Sequence, residues 1–152
     1  GAYMASNSQR VDNQITIDHI KSHTSSRELY KGVLGGKAKA VFHGSIIVRE
    51  NAQKVDAKQE DKNILLSDES EVYVKPAFWI YADDVKCGHG ASNGRLDQDT
   101  LFYLRSRGMN KENAQSLLIR GFLNQVIETI TSNSLKTSIA ALVDKKLQEL
   151  LD

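Results

Sequence analysis

A chain of 152 residues, 40% hydrophobic and 26% charged, has room for one domain or for a slab of a larger one. Its 20 basic and 19 acidic residues leave a net charge of +1, so electrostatics gives no reason to expect nucleic acid or an anionic membrane as partner. The single cysteine, Cys87, cannot form an internal disulfide. No apolar run approaches the roughly 20 residues that cross a bilayer, and no signal-peptide pattern opens the chain, which makes a reducing cytoplasm the simplest compartment.

Residues 1–10, beginning Gly1-Ala2-Tyr3-Met4, read as an added leader or a disordered start and are set aside from the fold. From about residue 11 to 87 the pattern is that of strands. Ile15 and Ile17 alternate with Gln14, Thr16 and Asp18. Ala38, Ala40, Phe42, Gly44, Ile46 and Val48 fall on one parity, and Val72, Val74, Phe78, Ile80 and Ala82 continue the period of two. Polar breaks fall at Gly35-Gly36, Glu50-Asn51 and Ser67–Ser70. Pro76, the only proline, lacks a ladder N–H and favours a strand edge or bend. No Asn-Gly or Asp-Gly hairpin turn joins these strands, and no strict hexapeptide repeat is present. Periodicity alone therefore leaves a β-sandwich and a β-solenoid nearly tied.

From Leu96 the period becomes helical. Asp97 is placed to cap a helix over roughly 98–107, with Gly108 at its left-handed stop. Asn110 caps a second helix over 111–130, whose Ile119, Phe122, Leu123, Val126, Ile127 and Ile130 form a stripe. Ser134 is expected to cap a third over 135–151, with Ile139, Leu142, Val143, Leu147 and Leu150 as its stripe.

Most motif-like stretches fail on chemistry. Gly32-Val-Leu-Gly-Gly-Lys37 is one residue short of a phosphate loop, and Ala38 stands where magnesium needs a hydroxyl, so a tight turn is the better reading. Asp83 and Asp84, neighbours in a strand, would face opposite sides and cannot share acid–base work. His19, His23 and His43 are scattered and read as surface or satisfied histidines. Arg105 and Arg107 complement the dipole at the end of the first helix, either as a solvated end or as a docking point. The stretch Tyr81–Ala91 stands apart: Cys87 and His89, at i and i+2 of a strand, share a face. A thiol and an imidazole side by side suit a soft metal or a sulfur carrier, or a small packed residue beside an ordinary polar one. A closed metal site needs about four ligands, so any metal role for this pair requires a second subunit.

Several stretches resemble, in the right order, signatures of the SufB/SufD family. They are Glu28-Leu-Tyr-Lys-Gly-Val33, Val41-Phe-His-Gly-Ser-Ile46, Ala52-Gln-Lys-Val-Asp-Ala57-Lys-Gln59 and Asn63-Ile-Leu-Leu-Ser-Asp68, then Ile80–Ala91 and Leu101-Phe-Tyr-Leu-Arg-Ser-Arg-Gly108. The Asp-Asp-Val-Lys-Cys-x-His-Gly-Ala form resembles the SufD branch. The resemblance covers roughly 12–130 and implies a mainly β fold. Its expected form is a right-handed parallel β-helix (β-solenoid) over 11–95 followed by a small C-terminal helical subdomain over 96–152. It also implies a C-terminal core that lacks the N-terminal helical region and early rungs of longer family members. The implied role is a non-enzymatic scaffold subunit of the iron–sulfur cluster assembly system. It would pair with a SufB-like protein through its last strands and dock a SufC-like ATPase through its helices. An iron–sulfur cluster would be held transiently, only in the complex, with His89 and Cys87 as candidates at the subunit interface. His89 would supply a nitrogen ligand or lower the thiol pKa of Cys87, itself a thiolate donor, a sulfur relay or an interface packing residue. Val85, Leu101, Phe102, Arg105 and Arg107 are the candidate docking residues. In isolation the chain is expected to form a homodimer across the strand near Val85–His89, with no nucleic acid, membrane or resident cofactor. The competing reading is a structural β-solenoid that mediates contacts without metal or sulfur chemistry. An acyltransferase solenoid is disfavoured by the missing hexapeptide repeat.

Overall fold

The computed structural model describes residues 1–151. Seven strands alternate between two parallel sheets. β1 (Ala2–Ala5), β3 (Ser25–Leu34), β5 (Asp56–Leu65) and β7 (Lys86–Gly94) form one, in that order. β2 (Arg10–His19), β4 (Lys39–Val48) and β6 (Glu71–Ile80) form the other. From β3 onward, each strand pairs in parallel with the strand two before it in the chain. This is a β-solenoid of about three turns, which settles the tie left by periodicity. Registers give the turn length. Ala2 lies beside Lys31, Ser25 beside Asp56 and Asp56 beside Lys86, spacings of 29, 31 and 30 residues. A repeat of that length with few identities at equivalent positions leaves little trace in a search for short repeats.

The strand parities are those expected. Ala40, Phe42, Ile46 and Val48 of β4 are 0% exposed and point inward, while Lys39 and His43 face water. Pro76 lies in β6, the edge strand of its sheet, where its missing N–H costs no ladder bond on the open side. Three expectations need correction. Ala2–Ala5 belongs to the fold: it forms β1, paired with Lys31–Leu34, with Ala5 fully buried. Asp83 and Asp84 do not lie in a strand. They form the bend between β6 and β7, where Asp84 pairs with Lys54 and its N–H donates to Gln53 Oε1 at 2.9 Å. β7 extends the strand region to Gly94, beyond the end near 87 read from alternation and inside the 11–95 implied by the resemblance.

Three helices follow: α1 (Gln98–Ser106), α2 (Lys111–Ile127) and α3 (Asn133–Leu151). Asp97 accepts from the Thr100 N–H and Asn110 from the Asn113 N–H, as their cap positions predict, and Gly108 takes a φ of +91°. The third helix starts earlier than expected. Ser132, not Ser134, takes the cap role, its carbonyl accepting from Lys136 at 2.9 Å and its hydroxyl lying 3.4 Å from the Leu135 N–H. Leu142, expected in the buried stripe, is 65% exposed.

Helices and solenoid share one core. Ile119, Leu123, Ile127, Val143 and Leu147 pack with Leu96, Leu101 and with Val33 on the outer face of the β1–β3–β5–β7 sheet. Lys31, on that same face and only 4% exposed, anchors α2 to the sheet. Its ammonium donates to the Phe122 carbonyl at 2.7 Å and lies 4.2 Å from the Phe122 ring centroid. Burial pulls its pKa below the ordinary lysine value, with Lys62 acting in the same direction. The solenoid interior holds two further apolar clusters, around Ile46–Ala57 and around Leu34–Ala40. Among the described residues, no helix is long and apolar enough to cross a membrane.

Candidate functional site

The last turn leaves the solenoid open. β6 and β7 are the final strands of their sheets, and each carries an edge with no partner in the chain. On β7 the register places Cys87 beside Ala57, His89 beside Gln59, Ala91 beside Asp61 and Asn93 beside Asn63. Cys87 and His89 therefore share the inward face, as their spacing predicts. The other face is nearly bare: at Gly88, Gly90 and Gly94 nothing lies within 4 Å of where a side chain would begin. Glycines on a strand suit close approach by a second backbone.

Cys87 is half-buried against the cluster of Ile46, Val55 and Ala57, which also holds Val85. Burial pushes its thiol up from the ordinary cysteine value. The nearby Asp56 carboxylate adds to this, and a hydrogen bond with the Ala57 backbone opposes it. In the isolated chain Cys87 is therefore a poorer thiolate former than an ordinary cysteine. His89 is exposed and meets Phe78 of β6 edge-on, with ring centroids 4.9 Å apart and planes at 65°. The open end thus presents one sulfur, set against an apolar cluster, and one imidazole, set against an aromatic ring.

Beneath them the interior is polar. Glu28, Gln59, Asp61 and Asn63 project inward from β3 and β5, and all are buried. Gln59 Nε2 donates to Glu28 Oε2 at 2.8 Å. Asn63 donates to Asp61 and, at 3.0 Å, to Asn93 Oδ1, and accepts from the Tyr3 hydroxyl at 2.6 Å. That last bond spans a rung, because Gly32 lies between Tyr3 and Asn63 in register and leaves the gap open. Three acceptors in this network have no partner: Glu28 Oε1, Gln59 Oε1 and Asp61 Oδ2. Desolvation raises the Asp61 pKa to about 6, with the Glu28 charge adding and the Asn63 hydrogen bond opposing. Sequence reasoning passed over these residues because polar side chains on a strand read as solvent-facing. A signal was present: Lys58, Glu60 and Lys62 fill the other parity of β5 and pair with one another at 2.7 and 3.3 Å, which sends Ala57, Gln59, Asp61 and Asn63 inside.

The other predicted residues are dispersed. Leu101 is 8% exposed and helps to join helices to solenoid, so its side chain is not a surface feature. Phe102 is 74% exposed, and with Arg105 and Met109 it lines a shallow groove between α1 and α2. Arg107 lies 5.4 Å from the Tyr103 ring centroid. His19 is buried and satisfied, its ring nitrogens 2.7 Å from the Thr24 hydroxyl and 2.9 Å from that of Ser26. His23 and His43 are exposed. Among the described residues, no group of three or more His, Cys, Asp or Glu side chains is arranged to hold a metal ion. Cys87 and His89 amount to half of a tetrahedral donor set.

Comparison with known proteins agrees with this geometry. Residues 1–122 match the family described as SUF system FeS cluster assembly, SufBD core domain. The chain is 40% identical over 136 residues to the iron–sulfur cluster assembly protein SufD of Escherichia coli, covering 90% of this chain and 32% of that protein. It is 33% identical over 132 residues to SufD of Bacillus subtilis, covering 87% of this chain and 30% of the relative. A SufBD family protein of Synechocystis is 38% identical over 128 residues, with 84% of this chain and 28% of the relative covered. The chain spans about a third of the length of these relatives. An ordered run of family signatures and a parallel solenoid that closes in a helical subdomain agree with these matches: the chain belongs to the SufB/SufD family of iron–sulfur cluster assembly proteins, on its SufD branch.

Proposed function

We propose that the chain is a non-catalytic scaffold portion of the SUF assembly complex, holding a nascent iron–sulfur cluster at a junction with a SufB-like partner. The observation that carries this reading is the placement of Cys87 and His89 on the inward face of β7, at an open solenoid end whose last strand has an unpaired edge. An incomplete donor set on a pairing strand needs a second chain to complete it. The cluster is cargo: a neutral His89 nitrogen and, once deprotonated on metal binding, the Cys87 sulfur contribute two ligands and the partner the others. A SufC-like ATPase docks on the helical subdomain, where Phe102 and Arg105 offer an exposed aromatic and a cation on one groove. The complex works in the cytoplasm, where thiols stay reduced.

Iron and sulfide reconstitution of the complex tests the ligand roles. His89→Ala is expected to lower cluster yield at least about tenfold, and Cys87→Ala to lower it less, because the thiol must first lose a proton. Wild-type yields from both variants would leave only a structural solenoid. The exposed edge makes a separate expectation for the isolated chain. It should form a homodimer across Val85–His89, with the glycines of β7 admitting the second backbone. Light scattering that reports a strict monomer at tens of micromolar would count against strand pairing as the assembly mode.

A further inference from the structure

The column that ends at His89 continues inward. Glu28, Gln59 and His89 occupy the same register position on β3, β5 and β7, one rung apart. All three lie on the inward parity. Glu28 and Gln59 are 7% and 1% exposed.

The hydrogen bonding of this column has a direction. A carboxylate only accepts, so Glu28 fixes which end of the Gln59 amide faces it: Nε2 donates to Glu28 Oε2 at 2.8 Å. The amide oxygen is then the end left over, and Gln59 Oε1 is buried with no partner. A buried acceptor without a donor costs about 1–3 kcal/mol, so the site favours any arrangement that supplies one. The residue on the next rung in the same column is His89, whose ring carries such a donor and here rests edge-on against Phe78.

We propose that Gln59, oriented by Glu28, is a positioning residue for His89: the imidazole turns from Phe78 and donates one ring N–H to Gln59 Oε1. The remaining ring nitrogen is then the one with the free lone pair, and it faces the open end. This is the outer-shell arrangement that fixes tautomer and ring orientation in metal-binding histidines. A merely packed Gln59 would need neither the carboxylate beneath it nor an inward acceptor left free.

This inference rests on the reading of His89 as a ligand, yet it is tested without metal. The tautomer of neutral His89 is read by long-range ¹H–¹⁵N correlation spectroscopy of the full chain, with His89→Ala assigning the signals. In the wild type one tautomer should predominate by about tenfold, the preference that one such hydrogen bond supplies. In Gln59→Leu the ratio should fall to a few-fold or less. Glu28→Gln keeps the volume but offers both a donor and an acceptor, so the Gln59 amide is free to flip and the His89 ratio should fall there too. If Gln59→Leu fails to fold, Glu28→Gln carries the comparison. Mixed tautomers in the wild type, or one unchanged ratio in every folded variant, would overturn the proposal. Loss of cluster in His89→Ala with an unconstrained tautomer would keep the scaffold function and remove only the role of Gln59. A constrained tautomer with full cluster yield in His89→Ala would do the reverse.

Discussion

Gly44→Ala is expected to cost about 3 kcal/mol of folding stability, a large effect for a single added methyl group. Gly44 sits in mid-β4, between Ile15 and Pro76 in register, and faces the interior. A Cβ there would fall on Gln59 Nε2 and within 2.8 Å of both Gln59 Cδ and Phe42 Cε1. Neither neighbour can yield cheaply. Gln59 is held by Glu28, and Phe42 is 0% exposed with its ring 5.1 Å from that of Tyr30. Overpacking of this kind costs about 1–3 kcal/mol, and displacing the Gln59 amide adds the loss of a hydrogen bond to a charged group. Urea denaturation is the measurement, read as a lower midpoint at unchanged slope. A wild-type midpoint would mean that the interior column has slack, and with it that Gln59 is free to move.

Asp61→Asn is expected to act in the opposite sense and only above acid pH. The Asp61 carboxyl titrates at about 6 in the fold because burial disfavours its charge. In the unfolded chain it titrates at about 3.9. Below the unfolded value both states carry the proton and the residue is neutral toward stability. As pH rises from about 4 to 6 the unfolded chain has released a proton that the folded chain still holds, so stability falls with pH. Above 6 the cost is complete, about 2–3 kcal/mol. Asparagine carries no charge and puts an N–H in place of the partnerless Asp61 Oδ2, in an interior where Gln59 Oε1 and Glu28 Oε1 lack donors. The variant should therefore be more stable than wild type by about 2 kcal/mol at pH 8, with the gap closing toward pH 4. Denaturation at the two pH values decides it. A variant less stable at pH 8 would show that a charged Asp61 is stabilised by something other than Asn63.

Much of this architecture was legible in the residues, and the illegible parts have a common cause. Alternation in β4 and β6 gave correct parities: β4 buries apolar side chains on one face, and Val72, Val74 and Phe78 of β6 are half-buried on the matching one, although Ile80 at its end is 40% exposed. The caps Asp97 and Asn110 were read correctly because capping is a local hydrogen bond. Cys87 and His89 were rightly placed on one face, since that follows from strand geometry alone. What escaped was whatever depended on a neighbour one turn away. β1 holds because Lys31–Leu34 lies beside it, and nothing within Ala2–Ala5 announces that partner. The interior of β5 is polar because Glu28, Asn93 and Tyr3 meet it from other rungs. The start of α3 moved because Ser132 and Ser134 are equal in capping propensity, so residue type alone does not choose between them.

The turns of this solenoid differ in length, from 29 residues between β2 and β4 to 32 between β4 and β6, while every strand pair keeps perfect inward–outward parity. All of that variation is absorbed in the corners. A residue gained or lost at a corner such as Leu66–Ser70 leaves each ladder in register. The same change inside β4 or β5 would turn every side chain beyond it to the opposite face. Length change in this chain is therefore quantised by location. Drift can accumulate at the bends, while the strands admit only whole turns, each adding one rung of about 4.8 Å to the stack. A column such as Glu28–Gln59–His89 is accordingly a ruler: its reach is set by the number of rungs, and substitutions along the flanks cannot stretch it.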